Sequence, residues 1–240
     1  MGVLLTHATQ YAGPGCLPLL LREHGQVHCH DPSFADPVLA RRFAAEHPGA
    51  LPLTAATPAA LVAEIDGRGD GIATVVHNDV HPNHPLPIAQ IPAQHWQAAF
   101  DALFGFPVAL TQLLLPAMQA MGRGCFVFVT SARARQPEPG FAVATSLRAA
   151  TTQFALALAR ETAAQGVQVN VVAPNYLYSE AYYPRSRYID DPRGRAEIAA
   201  KVPVGRLGRP AEIGELIAFL ASGRAPFVTG QVIDFTGGWP

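Results

Sequence analysis

Two side chains seventeen positions apart have the chemistry to act on one oxygen atom. Ser131 closes the apolar run Phe126, Val127, Phe128, Val129, Thr130, which has the continuous hydrophobicity of a strand buried on both faces. Arg148 lies in a stretch with helical spacing. A hydroxyl at a strand end can hold a substrate oxygen, and a guanidinium one helical turn from a phenol stabilises the phenolate, drawing its titration from ~10 toward neutrality. The position one turn before Arg148 is Ala144, which has no transferable proton. The pair therefore predicts capture and polarisation of an oxygen with no base beside it.

The first loop, residues 6–15, sits where a nucleotide-binding α/β fold would cradle a diphosphate. A G-x-G-x-x-G turn works because its glycines let the backbone approach the pyrophosphate at a helix N-terminus. Here Tyr11 puts a phenol into that space, and Gly13-Pro14-Gly15 reads either as a remnant of the turn or as a helix-entry turn. Asp31, after the second strand, reads as a cap for the segment that follows. His77, His81 and His84 border a proline-rich loop without a carboxylate or cysteine at zinc spacing, so no metal is expected.

Stepping along the chain, β-rich runs at 2–6, 26–30, 72–77, 125–130, 167–172 and 231–235 alternate with helix-spaced segments at 14–24, 36–47, 59–66, 93–121, 142–165 and 210–222. This βαβ rhythm predicts a doubly wound, Rossmann-like α/β fold with a parallel sheet, formed by a single domain over residues 1–240. Ligands in such sheets sit outside the carboxyl ends of the strands, where Tyr11, Ser131 and the segment after residue 173 fall.

With 49% hydrophobic and 15% charged residues the 240-residue chain has ample apolar surface to bury. A formal net charge of -1 with no basic tract gives no footprint for nucleic acid or an anionic membrane, so the expected partner is a small molecule. Cys16, Cys29 and Cys125 form neither a disulfide framework nor a metal pair. The start of the chain has no basic, apolar leader pattern, and a cytoplasmic location is expected.

Residues 6–13 with Tyr11, residues 29–34, Asn78-Asp79, Val129-Thr130-Ser131-Ala132, Arg148, the segment Pro174-Asn175-Tyr176-Leu177-Tyr178-Ser179-Glu180, and the tail from Gly205 to Gln231 together resemble the short-chain dehydrogenase/reductase superfamily. More narrowly, the chain is similar to the halohydrin dehalogenases, which displace halide from vicinal haloalcohols to form epoxides without a cofactor. The resemblance implies a halide or small-anion pocket in place of the nucleotide site, formed by Tyr11, Pro174, Asn175, Tyr176 and Leu177. It also implies a catalytic Ser131 and Arg148, with Ala144 at the position of the catalytic tyrosine. Nicotinamide-dependent redox chemistry is disfavoured: besides the occupied phosphate turn, Arg148 stands where the ribose-binding lysine would be and the hydride-transfer tyrosine is absent.

Three readings follow for a site lacking that tyrosine. The protein binds the ligand without turning it over, or it takes its base from Tyr178, Tyr182, Tyr183, Tyr188, His81 or His84, or it serves assembly. The alanine-rich helices 93–121 and 142–165 match those that the superfamily pairs across subunits, implying a homodimer or homotetramer.

Overall fold

The computed structural model describes residues 2–82 and 84–240. Seven strands run in the order β3-β2-β1-β4-β5-β6-β7, each pairing with its neighbours in parallel. They are β1 (Gly2–Leu5), β2 (Val27–His30), β3 (Ala50–Leu53), β4 (Ile72–His77), β5 (Gly124–Val129), β6 (Val167–Pro174) and β7 (Val232–Phe235). The helices are α1 (Gly13–His24), α2 (Pro37–Glu46), α3 (Pro58–Gly67), α4 (Ala93–Phe100), α5 (Phe106–Ala120), α6 (Ala142–Thr162), α7 (Arg185–Tyr188), α8 (Pro192–Lys201) and α9 (Pro210–Ala221). This is the expected Rossmann-like architecture.

Alternate residues of each strand serve the two faces. On one, Val3, Leu5, Cys29, Val127 and Val129 pack with Leu17 and Leu20 of α1, Phe43 of α2 and Ile213 and Ile217 of α9. On the other, Leu4, Val75, Phe126, Phe128 and Val171 pack with Leu61 of α3, Leu110, Leu114 and Met118 of α5, and Leu158 of α6. With helices on both faces, β5 is apolar throughout, whereas β2 places His28 and His30, and β6 places Gln168 and Asn170, at alternate positions. The three thiols are buried, and burial pushes those of Cys16 and Cys125 up to about 12.

The glycines of the first loop are explained by helix packing. A Cβ on Gly13 would lie 2.5 Å from the Ala8 carbonyl oxygen, and one on Gly15 would lie 1.9 Å from that of Pro210 on α9. Gly13-Pro14-Gly15 is thus the entry of α1, with proline in its first turn where a missing N–H costs nothing.

Three elements differ from the sequence expectation. The strand β3 was not predicted because Pro52 interrupts its pattern; it lies at the sheet edge, pairing only with β2, where proline is tolerated. The predicted continuous helix 93–121 contains a π-turn at Asp101–Gly105 between α4 and α5. Pro107 cannot donate to the carbonyl of Leu103, and that carbonyl instead accepts from Thr151 Oγ1 at 2.7 Å. The segment after β6 holds α7 and α8, the latter capped by Asp191, which accepts from the Arg193 N–H at 2.9 Å.

By length and composition the 28-residue helical stretch Ala93–Ala120 could cross a membrane. Here one side of it covers the sheet, and Trp96, Phe100 and Leu113 remain exposed.

Candidate active site

A cavity of about 60 Å³ lies at the carboxyl ends of the strands. Its inner wall is Thr130 and Ser131 after β5, Ala144, Thr145 and Arg148 on α6, and Leu103 from the π-turn; facing them are Tyr11, His81, Arg133, Pro174, Asn175, Tyr176, Tyr182 and Tyr183. Arg133, Tyr176, Tyr182 and Tyr183 also line a neighbouring chamber of about 650 Å³.

Ser131 has an extended backbone, φ -161°, and caps a short turn by accepting the Arg133 N–H at 3.2 Å. An oxygen that accepts from the backbone keeps its own O–H proton for a substrate. Arg148 is 9% exposed. Its Nη1 donates to the Val129 carbonyl at 2.9 Å and its Nη2 to the Asp79 carbonyl. Among the described residues no carboxylate pairs with it. A buried cation held only by carbonyl dipoles leaves a positive potential in the cavity, which favours an anion or a nascent alkoxide.

The Asp79 carboxylate is occupied elsewhere. Its oxygens lie 3.3 Å from His7 Nδ1 and 3.5 Å from His77 Nδ1. Burial opposes its ionisation, but the two imidazoles hold the carboxyl below the usual carboxylate range. His77 Nε2 is 3.0 Å from Thr111 Oγ1 and its ring stacks 4.6 Å from that of Phe128. His30, stacked at 5.0 Å on Phe106, is lowered to about 4 by burial and by His7.

Asn78 fastens the first loop to β4. Its Nδ2 donates to the carbonyls of His7 at 3.0 Å and Gln10 at 2.8 Å, and its Oδ1 accepts from the Ala12 N–H at 3.3 Å. The loop so held has left-handed backbone at His7 (φ 46°) and Tyr11 (φ 51°), a conformation costing about 1–3 kcal/mol per residue that clusters at functional sites. Burial raises the Tyr11 phenol well above its ordinary value. Asp31 caps the turn after β2 as expected: Ser33 N–H and Oγ donate to one oxygen at 3.0 and 2.7 Å, and Thr9 N–H and Oγ1 to the other at 3.1 and 2.6 Å.

After β6, Asn175 Oδ1 accepts the Tyr176 N–H at 2.9 Å. This leaves Nδ2 buried and, among the described residues, without a hydrogen-bond partner, on a side chain that lines the cavity. Tyr176 (φ 55°) packs on Ile198, Val202 and Leu207.

The structure therefore gathers Tyr11, Ser131, Ala144, Arg148, Pro174, Asn175 and Tyr176 around one cavity. Leu177 is not brought with them: its side chain is buried against α1 and α9 and its backbone bridges to Gly208. Of the six proposed alternative bases, His81, Tyr182 and Tyr183 reach the cavity. His84 and Tyr188 line the outer chamber, and Tyr178 turns away to bond Glu180. Sequence reasoning missed Leu103, Thr130, Arg133 and Thr145. Only Arg133 carried a signal, being a cation two residues beyond Ser131.

Residues 54–240 match the family model described as enoyl-(acyl carrier protein) reductase. The solved structure of halohydrin dehalogenase HheC bound to ethyl (2S)-oxiran-2-ylacetate is similar over 100% of this chain and 97% of that one, with TM-score 0.96 and 29% identity. A structure named dehalogenation enzyme is similar over 100% and 98%, with TM-score 0.93 and 33% identity. Among curated proteins, the 3-oxoacyl-[acyl-carrier-protein] reductase FabG of Escherichia coli is 32% identical over 145 residues, which are 60% of this chain and 57% of that protein. The chain spans 53% to 64% of the length of the first curated relatives it matches. By the family model matched over residues 54–240 and by its fold, the chain belongs to the short-chain dehydrogenase/reductase family.

Proposed function

We propose that the protein is a cofactor-independent member of halohydrin-dehalogenase type, interconverting vicinal haloalcohols with epoxides and halide, and opening epoxides with small anions. The observation that carries the reading is the buried Arg148 guanidinium with no carboxylate partner, sharing a small cavity with Ser131, Tyr11 and the amide of Asn175. A cavity of this size suits a halide beside a carbon–oxygen unit, with larger substituents left to the outer chamber. The likeness to halohydrin dehalogenase HheC over the whole chain supports it.

In ring closure Ser131 donates to the substrate oxygen and Arg148 stabilises the alkoxide as it attacks the neighbouring carbon. The carbon–halogen bond breaks with its electron pair, and the halide is received by Asn175 Nδ2 and the edge of Tyr11. With no acceptor at Ala144, the alcohol proton passes to water, so this direction is slow. Removal of a general base costs about 10²–10⁴ in rate.

A nicotinamide-dependent reductase is the second reading, favoured by the curated relatives named as reductases. Against it stand the left-handed Tyr11 in the first loop and Asp31, whose two oxygens are taken by Thr9 and Ser33. The same proposal makes the protein a cytoplasmic homo-oligomer that uses small-molecule substrates rather than nucleic acid or membrane. The exposed Trp96, Phe100 and Leu113 offer a face for a second copy.

Chloride release from 1,3-dichloro-2-propanol, measured for the wild type beside Ala144→Tyr, tests the reading. The variant is expected to be faster by about 10²–10⁴. Inertness of both, with no azide binding by calorimetry, would end it, and tight NADPH binding would favour the reductase.

A further inference from the structure

With no phenol at position 144, the cavity must move a proton by another group if it turns over. Tyr176 also lines the cavity but packs its ring into the apolar group of Ile198, Val202 and Leu207; four further side chains at the surface can carry one: Tyr11, His81, Tyr182 and Tyr183. Tyr183 belongs to the outer aromatic group, its ring 5.8 Å from Tyr176 and 5.3 Å from Tyr188, and the charge nearest it in effect is Arg133. His81 pairs its ring with His95 at 5.3 Å, and burial, His95 and Arg148 all oppose its protonation, which suits it poorly to donate a proton. Tyr11 is locked in the strained first loop, with Tyr182 itself next after burial in holding its phenol protonated.

Tyr182 differs from all three. It reaches the cavity from the loop after β6, its ring edge on Tyr11 at 5.6 Å. Among the described residues its hydroxyl makes one long bond, 3.3 Å, to the carbonyl of His81, two residues beyond the carbonyl that holds Arg148. That proton is easily exchanged for a stronger acceptor such as an alkoxide. The groups facing it are Tyr11 from the first loop, His81 from the loop after β4, Arg133 beyond β5 and Arg148 on α6. Its other side looks across the outer chamber at Glu138, Glu197 and Lys201. Burial keeps the phenol above its ordinary value although Arg148 and then Arg133 pull it down.

We infer that Tyr182 replaces the missing α6 phenol as the proton carrier, and that the site is thereby an acid catalyst geared to opening epoxides with small anions rather than to closing haloalcohols. The inference rests on the proposed function. In the step, azide or a like anion attacks one ring carbon, a carbon–nitrogen bond forms and the carbon–oxygen bond breaks with its pair on oxygen. The Tyr182 O–H proton passes to that oxygen, giving the azido-alcohol and a phenolate beside Arg148, which water reprotonates. A phenol that stays protonated at neutral pH is ready to donate and unready to accept, so opening exceeds closure until the solution is alkaline.

The test is azide opening of 1,2-epoxybutane by wild type, Tyr182→Phe, Tyr178→Phe and Ala144→Tyr, with azide binding followed by calorimetry. Loss of the hydroxyl is expected to slow opening by about a hundredfold with azide affinity retained, while Tyr178→Phe matches the wild type. The wild-type rate should fall at alkaline pH as the phenol ionises, a limb that Tyr182→Phe lacks. Equal rates for wild type and Tyr182→Phe, or the same alkaline limb in both, would overturn the assignment and leave the proposed function standing. A wild type that is inert while Ala144→Tyr is active would do the same. Inertness of both would remove the proposed function as well.

Discussion

The two walls of the cavity are built on opposite plans. The inner wall, from β4, β5 and α6, is tied group to group: Asn78 fastens the first loop, Asp79 sits between His7 and His77, and Arg148 is held by two carbonyls. The outer wall, from the loop after β6, leaves polar atoms loosely engaged: among the described residues Asn175 Nδ2 has no hydrogen-bond partner and Tyr182 makes one long bond. Thr145 Oγ1, Asp79 Oδ1 and the Nδ1 atoms of His7 and His77 on the inner side still fall short of hydrogen-bond geometry among the described residues; under the proposed reading the inner wall supplies fixed positive potential and the outer one protons and donors for a ligand. The first wall carries no phenol at Ala144 while the second carries Tyr182 and Tyr183, so under the proposed reading the fixed charge and the proton carrier reside on different elements of this chain.

The largest effect that would sharpen the contrast is expected from Arg148→Met. It removes the cavity's fixed charge and strips partners from the Val129 and Asp79 carbonyls. Azide binding should vanish in calorimetry, and stability should drop by about 1–3 kcal/mol for each buried carbonyl left unpaired, read from denaturant midpoints. If azide affinity survived, the inner wall would not be the source of the potential.

Acid should act next, behind the first loop, where the β2 residue His30 meets the ring of His7. His30 titrates in the fold near 4, against an ordinary 6.5. Its folded value lies below its unfolded one, so its contribution is full above ~6.5 and drains away as pH falls toward 4, on the order of 3 kcal/mol in all. Replacing it by Phe, which keeps the stack on Phe106, should flatten the loss of stability between pH 6.5 and 4 in urea titrations. An unchanged slope would assign the acid sensitivity elsewhere.

The smallest effect is expected on the outer wall. Asn175→Ala deletes one donor to an anion, worth about 1.5–3 kcal/mol, and should weaken azide binding by about ten- to a hundredfold without changing the proton step. A loss as complete as that of Arg148→Met would erase the distinction between the walls.

Most of the sheet was legible in the sequence because strands buried on both faces are rich in β-branched and apolar residues, continuously at 125–129 and interrupted by Gln168 and Asn170 at 167–172. β3 escaped because Pro52 is permitted only by its edge position, which the local pattern does not show. The π-turn escaped for a like reason: Pro107 announces a broken bond, but the acceptor is repaired by Thr151 on another helix. In the site, Tyr11, Ser131 and Asn175 could be read because each follows a strand. The Asp79 pairing joins residues seventy positions apart, and the turn of Tyr182 toward Tyr11 depends on how a long loop folds back, so neither has a local signature.

Calorimetric titration of azide into the wild-type protein, with and without NADPH, bears most directly on what the cavity takes. Saturable azide binding that NADPH does not displace, and that Arg148→Met abolishes, is the expected result. Tight binding of NADPH with no heat from azide would contradict it and return the site to nucleotide chemistry.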